Sequence, residues 1–182
     1  MKICLMGISN VGKTTTGEIL AKRLALKFYD LDEEVKKRLN MTLEEFVNTK
    51  DLMWRDEVRG HIINDILQKE DNFVLAITPI TYADTFKENI NSEDVLLIEL
   101  YDDPKNIFDR LVFSDENDVI YRDDTYKNKY KNHYMQEIMK DMIYYDIVNV
   151  GIGIENKFFI DNDSPTKVVS RIIKEYNLKR SF

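Results

Sequence analysis

The chain has 182 residues, 43% of them hydrophobic, which suits one domain with a sizeable buried core. Its 26 basic and 33 acidic residues leave a net charge of −7, and this argues against nucleic acid as a main partner, because phosphate backbones need clustered Lys and Arg. The solitary Cys4 excludes an internal disulfide, His61 and His133 sit in no Cys/His pattern that would hold a structural metal, and no apolar run is long enough to span a bilayer. Met1 leads straight into an apolar run, so no leader peptide is expected; the expectation is a cytoplasmic monomer with no membrane partner.

In chain order, short apolar runs alternate with helical patterns. Ile3-Cys4-Leu5-Met6 reads as a buried strand, and Ile19, Leu20 and Leu24 share one face of the helix after it. Phe28-Tyr29-Asp30-Leu31 is a shorter strand candidate. Thr42-Leu43-Glu44-Glu45 is a capping-box pattern that opens a short helix. Val58, Ile62, Ile63, Ile66 and Leu67 stripe a longer helix before the Phe73–Ile77 strand, and Val95–Leu100 is the next strand. Phe158-Phe159-Ile160 is the last. Ser164 and Pro165 then supply an N-cap and a rigid first residue for a final helix through Val168, Ile172 and Ile173.

Continuous apolar runs without alternation suit strands covered on both faces, and their alternation with helices predicts an α/β fold with right-handed crossovers. The expected architecture is a three-layer sandwich around a five-stranded parallel sheet, in a single domain over residues 1–182. Two insertions interrupt the alternation. Residues 31–70 hold several helices between two strands and suit an acceptor-binding piece. Residues 113–126 are polar and rich in Asp and Asn; they suit a lid that excludes water, and equally a solvated loop.

The chemistry is carried by Gly7-Ile8-Ser9-Asn10-Val11-Gly12-Lys13-Thr14, a complete P-loop between a buried strand and an amphipathic helix. Gly7 allows a tight exit from the strand, and Gly12 allows backbone N–H groups to approach phosphate. Lys13 sets an ammonium against the β- and γ-phosphates, and the Thr14 hydroxyl is a candidate Mg²⁺ ligand. Asn10, Val11 and Thr15 complete the cradle, with the helix dipole behind it. The pattern predicts a small phosphotransferase that uses ATP and Mg²⁺.

From Gly12 onward the sequence resembles the shikimate kinase family, with its nucleoside-monophosphate-kinase-like P-loop fold. Gly12-Lys13-Thr14-Thr15-Thr16-Gly17 with Leu20-Ala21-Lys22-Arg23-Leu24 is similar to that family's P-loop and first helix. Phe28-Tyr29-Asp30-Leu31-Asp32 is similar to its Phe-x-Asp-x-Asp segment, Trp54-Arg55 to its Phe-Arg, and Asp161-Asn162-Asp163-Ser164-Pro165 to its adenine loop. The resemblance implies phosphorylation of shikimate to shikimate 3-phosphate. By it, Asp30 holds Mg²⁺ through water, and Asp32 binds and orients the acceptor hydroxyl, as base. Arg55 and, by a looser match, Lys140 bind the acceptor carboxylate, while Arg110, Ser164 and Pro165 flank the adenine. The residues alone leave Asp30 and Asp32 open to serving as first-turn charge on a helix, and Arg55 to a surface ion pair.

Three departures fall on the acceptor side. Ala76-Ile77-Thr78-Pro79-Ile80 stands where the family has a run of glycines, Val58 replaces a glutamate three residues beyond the arginine, and the Arg-Pro-Leu-Leu lid motif is absent, with Arg122 in an acidic stretch. A same-fold kinase of a gluconate-like or nucleotide acceptor, and a nucleotide-binding protein that has lost catalysis, are the alternatives.

Overall fold

A computed structural model describes residues 1–113 and 120–180. Five parallel strands form one sheet in the order β2-β3-β1-β4-β5: β1 (Lys2–Met6), β2 (Lys27–Asp30), β3 (Phe73–Ala76), β4 (Val95–Tyr101) and β5 (Asn156–Phe159). Central β1 sets Cys4 opposite Leu75 of β3 and Leu97 of β4. Its side chains alternate between two separate cores, Ile3 and Leu5 in one, Cys4 and Met6 in the other. Burial on both faces is why Ile3–Met6 of β1 and Phe73–Ala76 of β3 read as unbroken apolar runs.

One face is covered by α1 (Lys13–Leu24), α6 (Pro104–Arg110) and α9 (Pro165–Glu175), which bring Leu20, Leu24, Ile107, Val168 and Ile172 onto Leu5, Val74 and Ile98. The opposite face carries α2 (Leu31–Leu39), α3 (Leu43–Thr49), α4 (Leu52–Leu67) and the short α5 (Lys87–Ile90), with Val35, Phe46, Ile63, Ile66 and Ile90 against Met6, Phe73 and Leu75. After α7 (Thr125–Lys129), α8 (Lys131–Ile152) serves both cores, with Ile138 in the first and Ile152 in the second. This is the α/β three-layer sandwich and five-stranded parallel sheet that the sequence patterns imply.

Helix starts are set by local chemistry. Thr42 and Glu45 form the reciprocal capping box at α3, and the Asp51 carboxylate accepts from the Trp54 N–H to open α4. Within the expected lid, residues 114–119 lie outside the described residues. Its flanks are fastened by an N–H···O bond from Tyr121 to Phe113 (3.0 Å) and by ring contacts of Phe113 with Tyr126 and Tyr134.

Candidate active site

The P-loop leaves the C-terminal end of β1 between β3 and β4, where the chain order across the sheet reverses and α/β folds bind ligands. Gly7 is required there: its φ is +134°, and an added Cβ would lie 2.3 Å from the Leu100 carbonyl oxygen of β4. Gly12, at φ +109°, turns the backbone into α1. The Lys13 ammonium folds back over this turn and donates to the carbonyls of Gly7 and Ile8, both at 2.8 Å. Burial lowers its pKa to about 8, against the pull of Asp32 and Asp30, which favour the charged form.

Asp30 ends β2 and caps α2. One carboxylate oxygen accepts from the N–H groups of Asp32 (3.0 Å) and Glu33 (3.3 Å), and the other accepts from the Thr14 hydroxyl (2.7 Å). It is thus the helix cap that the residues alone allowed, with its second oxygen bonded to the Thr14 hydroxyl. Among the described residues, no three Asp, Glu, His or Cys side chains cluster closely enough to hold a metal unaided. The Thr14–Asp30 pair fits Mg²⁺, which commonly takes one or two protein oxygens and completes its shell with phosphate and water.

Ser9, Asn10, Lys13, Thr14, Asp30, Asp32, Ala76 and Thr78 line one cleft of about 340 Å³. Asp32 and Lys13 therefore face a shared space, which their sequence separation alone does not dictate. Burial raises the Asp32 pKa, with Asp30 adding to the rise, while Arg59, Thr78 and Lys13 oppose it. The segment that stands in for glycines leaves this cleft open. Thr78 lines it, whereas Ile80 is turned into the core beside Phe46 and Phe86.

A second cleft of about 410 Å³ on the other side of the loop is lined by Asn10, Gly12, Lys13, Thr14, Thr15 and Arg110. Arg110 is held by a 2.8 Å bond to the buried Asp102, which leaves its Nε and Nη2 without partners. Val11 is buried and contributes backbone only. Ser164 and Pro165 are exposed at the start of α9 and do not line this cleft; their loop is braced by Arg171, which donates to the Ile160 carbonyl and to Asp163.

Two expected acceptor residues, Arg55 and Lys140, are not among those lining the Asp32 cleft. Lys140 lies on the exposed side of α8, paired with Glu137 at 2.7 Å, and the structure does not bring it to the cleft. A helix turn, not the cleft, decides that direction. Arg55 is half-buried on α4 and donates to the Val47 carbonyl, with no contact to Asp32.

The residue found beside Asp32 is Arg59, whose Nη2 lies 3.7 Å from Asp32 Oδ1. It is backed by the fully buried Asp56, which also accepts from the N–H groups of Thr81 (2.8 Å) and Tyr82 (3.1 Å). Gly60 permits this approach, since a Cβ there would meet Thr85 Cβ at 2.7 Å. The signal was available: Arg59 precedes Ile62 and Ile63 by three and four residues, so it interrupts the apolar stripe of α4.

The family profile "Shikimate kinase" matches residues 9–177. The chain belongs to the shikimate kinase family. Similar curated shikimate kinases include that of Clostridium botulinum (strain Eklund 17B / Type B), 36% identical over 92 residues, which are 50% of this chain and 52% of the relative. That of Bacillus pumilus is 38% identical over 63 residues, 34% of each chain. These alignments cover about half or less of the curated relatives' length. In overall fold the chain is similar to the shikimate kinase of Bacteroides thetaiotaomicron, with a TM-score of 0.77 at 20% identity over 98% of this chain and 99% of that one. It is also similar to the Acinetobacter baumannii enzyme solved in complex with shikimate, with a TM-score of 0.72 at 19% identity over 97% and 92%.

Proposed function

We propose that this protein is a kinase that transfers the γ-phosphoryl group of ATP to a hydroxyl of shikimate, giving shikimate 3-phosphate. The observation that carries the reading is the shared cleft in which Lys13, Thr14, Asp30 and Asp32 meet at the end of β1. Phosphoryl transfer asks for alignment and charge neutralisation more than for covalent chemistry, and these are the groups that supply them. The N–H groups of the Gly7–Thr15 turn cradle the phosphates, and the Lys13 ammonium, now spent on two backbone carbonyls, turns to the transferred group. Mg²⁺, held by Thr14 and, through water, by Asp30, supplies positive charge to the phosphate oxygens when bound.

Asp32 receives the acceptor hydroxyl, orients it and takes its proton; its raised pKa, caused chiefly by burial, suits a proton acceptor. Arg55 binds the acceptor carboxylate. Arg110, with its free Nε and Nη2, and the Ser164-Pro165 corner flank the adenine. The α2–α4 insertion holds the acceptor. A cytoplasmic monomer belongs to the same proposal: the lone Cys4 is a buried thiol, in keeping with a reducing compartment, and sedimentation velocity checks the monomer.

A coupled ADP-release assay with shikimate, gluconate and nucleoside monophosphates tests the proposal. Shikimate is expected to stimulate release at least tenfold above the other acceptors. Faster release with gluconate or a nucleotide would reassign the acceptor, and tight ATP binding with no stimulation by any acceptor would leave a non-catalytic nucleotide binder.

A further inference from the structure

Arg59 lies between two carboxylates, Asp32 and Asp56, yet its hydrogen bonding is incomplete. The residue is only 8% exposed, with its guanidinium over the Phe46 ring at 5.2 Å. A guanidinium has five N–H donors. Here one makes a long hydrogen bond of 3.4 Å to Asp56, another faces Asp32 at 3.7 Å, and Nε has no partner. Asp32 Oδ1 likewise has no hydrogen bond. Although two carboxylates face the guanidinium, its buried open donors forgo hydrogen bonds that a further acceptor would supply. Arg55 stands one helical turn earlier on the same face of α4, and its Nε is buried without a partner too.

Asp56 fixes the geometry. It is fully buried, binds Arg59 from below and grips the backbone of Thr81 and Tyr82, which follows the cleft residue Thr78. The guanidinium is therefore held directly behind Asp32, the carboxylate that lines the cleft.

We propose that Arg59 is an acceptor-binding residue, forming with Arg55 a paired guanidinium clamp on α4 that holds the carboxylate of a hydroxylated acid while Asp32 holds its hydroxyl. The cation expected on α8, Lys140, is replaced in this role by Arg59. Forked N–H donors on adjacent turns match a planar carboxylate, and a neutral polyol or a point-charge ligand cannot use both. This inference rests on the proposed kinase reading for the identity of the acceptor, and it concerns only how that acceptor is gripped.

The test is titration calorimetry of shikimate binding, in the presence of ADP and Mg²⁺, for the wild type, R59M, R59K, R55M and K140M, alongside steady-state kcat and KM. Affinity for ADP with Mg²⁺ is the control for folding, expected to stay within about twofold in every variant. Arg59→Met is expected to weaken shikimate binding and raise its KM on the order of 30-fold, the effect of losing charge-assisted hydrogen bonds. Arg59→Lys restores only part of the loss, Arg55→Met behaves like Arg59→Met, and Lys140→Met costs less than either. Should Arg59→Met lose ADP binding, it has not folded, and Arg59→Lys decides: an affinity within twofold of wild type overturns the clamp. Equal shikimate affinity in wild type and Arg59→Met, or a loss in Lys140→Met exceeding that in Arg59→Met, also overturns it. If the wild type binds shikimate in an Arg59-dependent way but does not phosphorylate it, the kinase reading fails and the clamp stands. If the wild type binds no shikimate, the clamp fails with the acceptor assignment.

Discussion

The nucleotide side and the acceptor side of the cleft are built by different means. The nucleotide side is one continuous segment, in which β1, the glycine-framed turn and the first turn of α1 follow one another within Lys2–Thr16. The acceptor side is assembled from pieces far apart in sequence: Asp32 from the start of α2, Arg59 and Asp56 from the middle of α4, and Thr78 from the loop after β3. A site made by one segment is specified by local geometry. A site made by packing depends on every helix being rotated correctly, and it can exchange one cation for another while the fold stays the same.

The largest effect separating the two sides is expected at Lys13. Lys13→Ala should lower kcat by a hundredfold to a thousandfold, roughly the loss of about 3–4 kcal/mol of transition-state stabilisation, with acceptor KM little changed. A kcat within tenfold of wild type would show that the turn does not carry the transferred charge. Asp32→Asn comes next, with kcat down about a hundredfold while ADP affinity is retained, because proton acceptance and hydroxyl alignment are lost together. Retained turnover would move the base elsewhere.

Smaller changes probe what holds each side in place. Gly7→Ala should cost about 3 kcal/mol in urea unfolding, since its Cβ would collide with the Leu100 carbonyl at a φ unfavourable to side chains. Asp56→Asn should cost about 2 kcal/mol and weaken shikimate more than ADP, since it loosens Arg59 and the Thr81–Tyr82 backbone together. Equal weakening of both ligands would make Asp56 a general core residue.

The most delicate effect is protonic. Lys13 has its pKa lowered to about 8 from 10.5 by burial, so in the free protein at pH 9 it is mostly neutral. Between these values the unfolded chain binds the extra proton, and the Lys13 contribution to stability rises with pH across that window. Phosphate brought against Lys13 favours the ammonium, so ADP binding at pH 9 should take up a fraction of a proton and at pH 7 close to none. Calorimetry in two buffers of different ionisation enthalpy measures this, and uptake that does not increase with pH would contradict it.

The same contrast explains what could be read from residues. The P-loop was legible because strand, glycine turn and helix are consecutive and each has its own signature. The buried strands were legible because both faces are covered, which leaves Ile3–Met6 as an unbroken apolar run and Val95–Leu100 as one broken only by Glu99. Arg59 was legible only in part: its spacing to Ile62 and Ile63 sets it on the apolar face, but Leu52–Leu67 carries Arg55, Asp56, Glu57 and Arg59 almost in a row, and packing on Phe46 and Thr85 decides which of them turn inward. Matching by family position favoured Arg55 and Lys140. The structure adds a buried acid–arginine pair, Asp56 and Arg59, beside the position where Val58 departs from the family's glutamate.

In the proposed reaction a phosphoryl group crosses from the Lys13 side of this cleft to a hydroxyl at Asp32. Phosphorus NMR of the purified protein with ATP, Mg²⁺ and shikimate reads that transfer directly. A new phosphate monoester on the shikimate ring, growing in step with ADP and lost in Asp32→Asn, is the expected result. ADP accumulating only with inorganic phosphate, or no change in ATP at all, would contradict it.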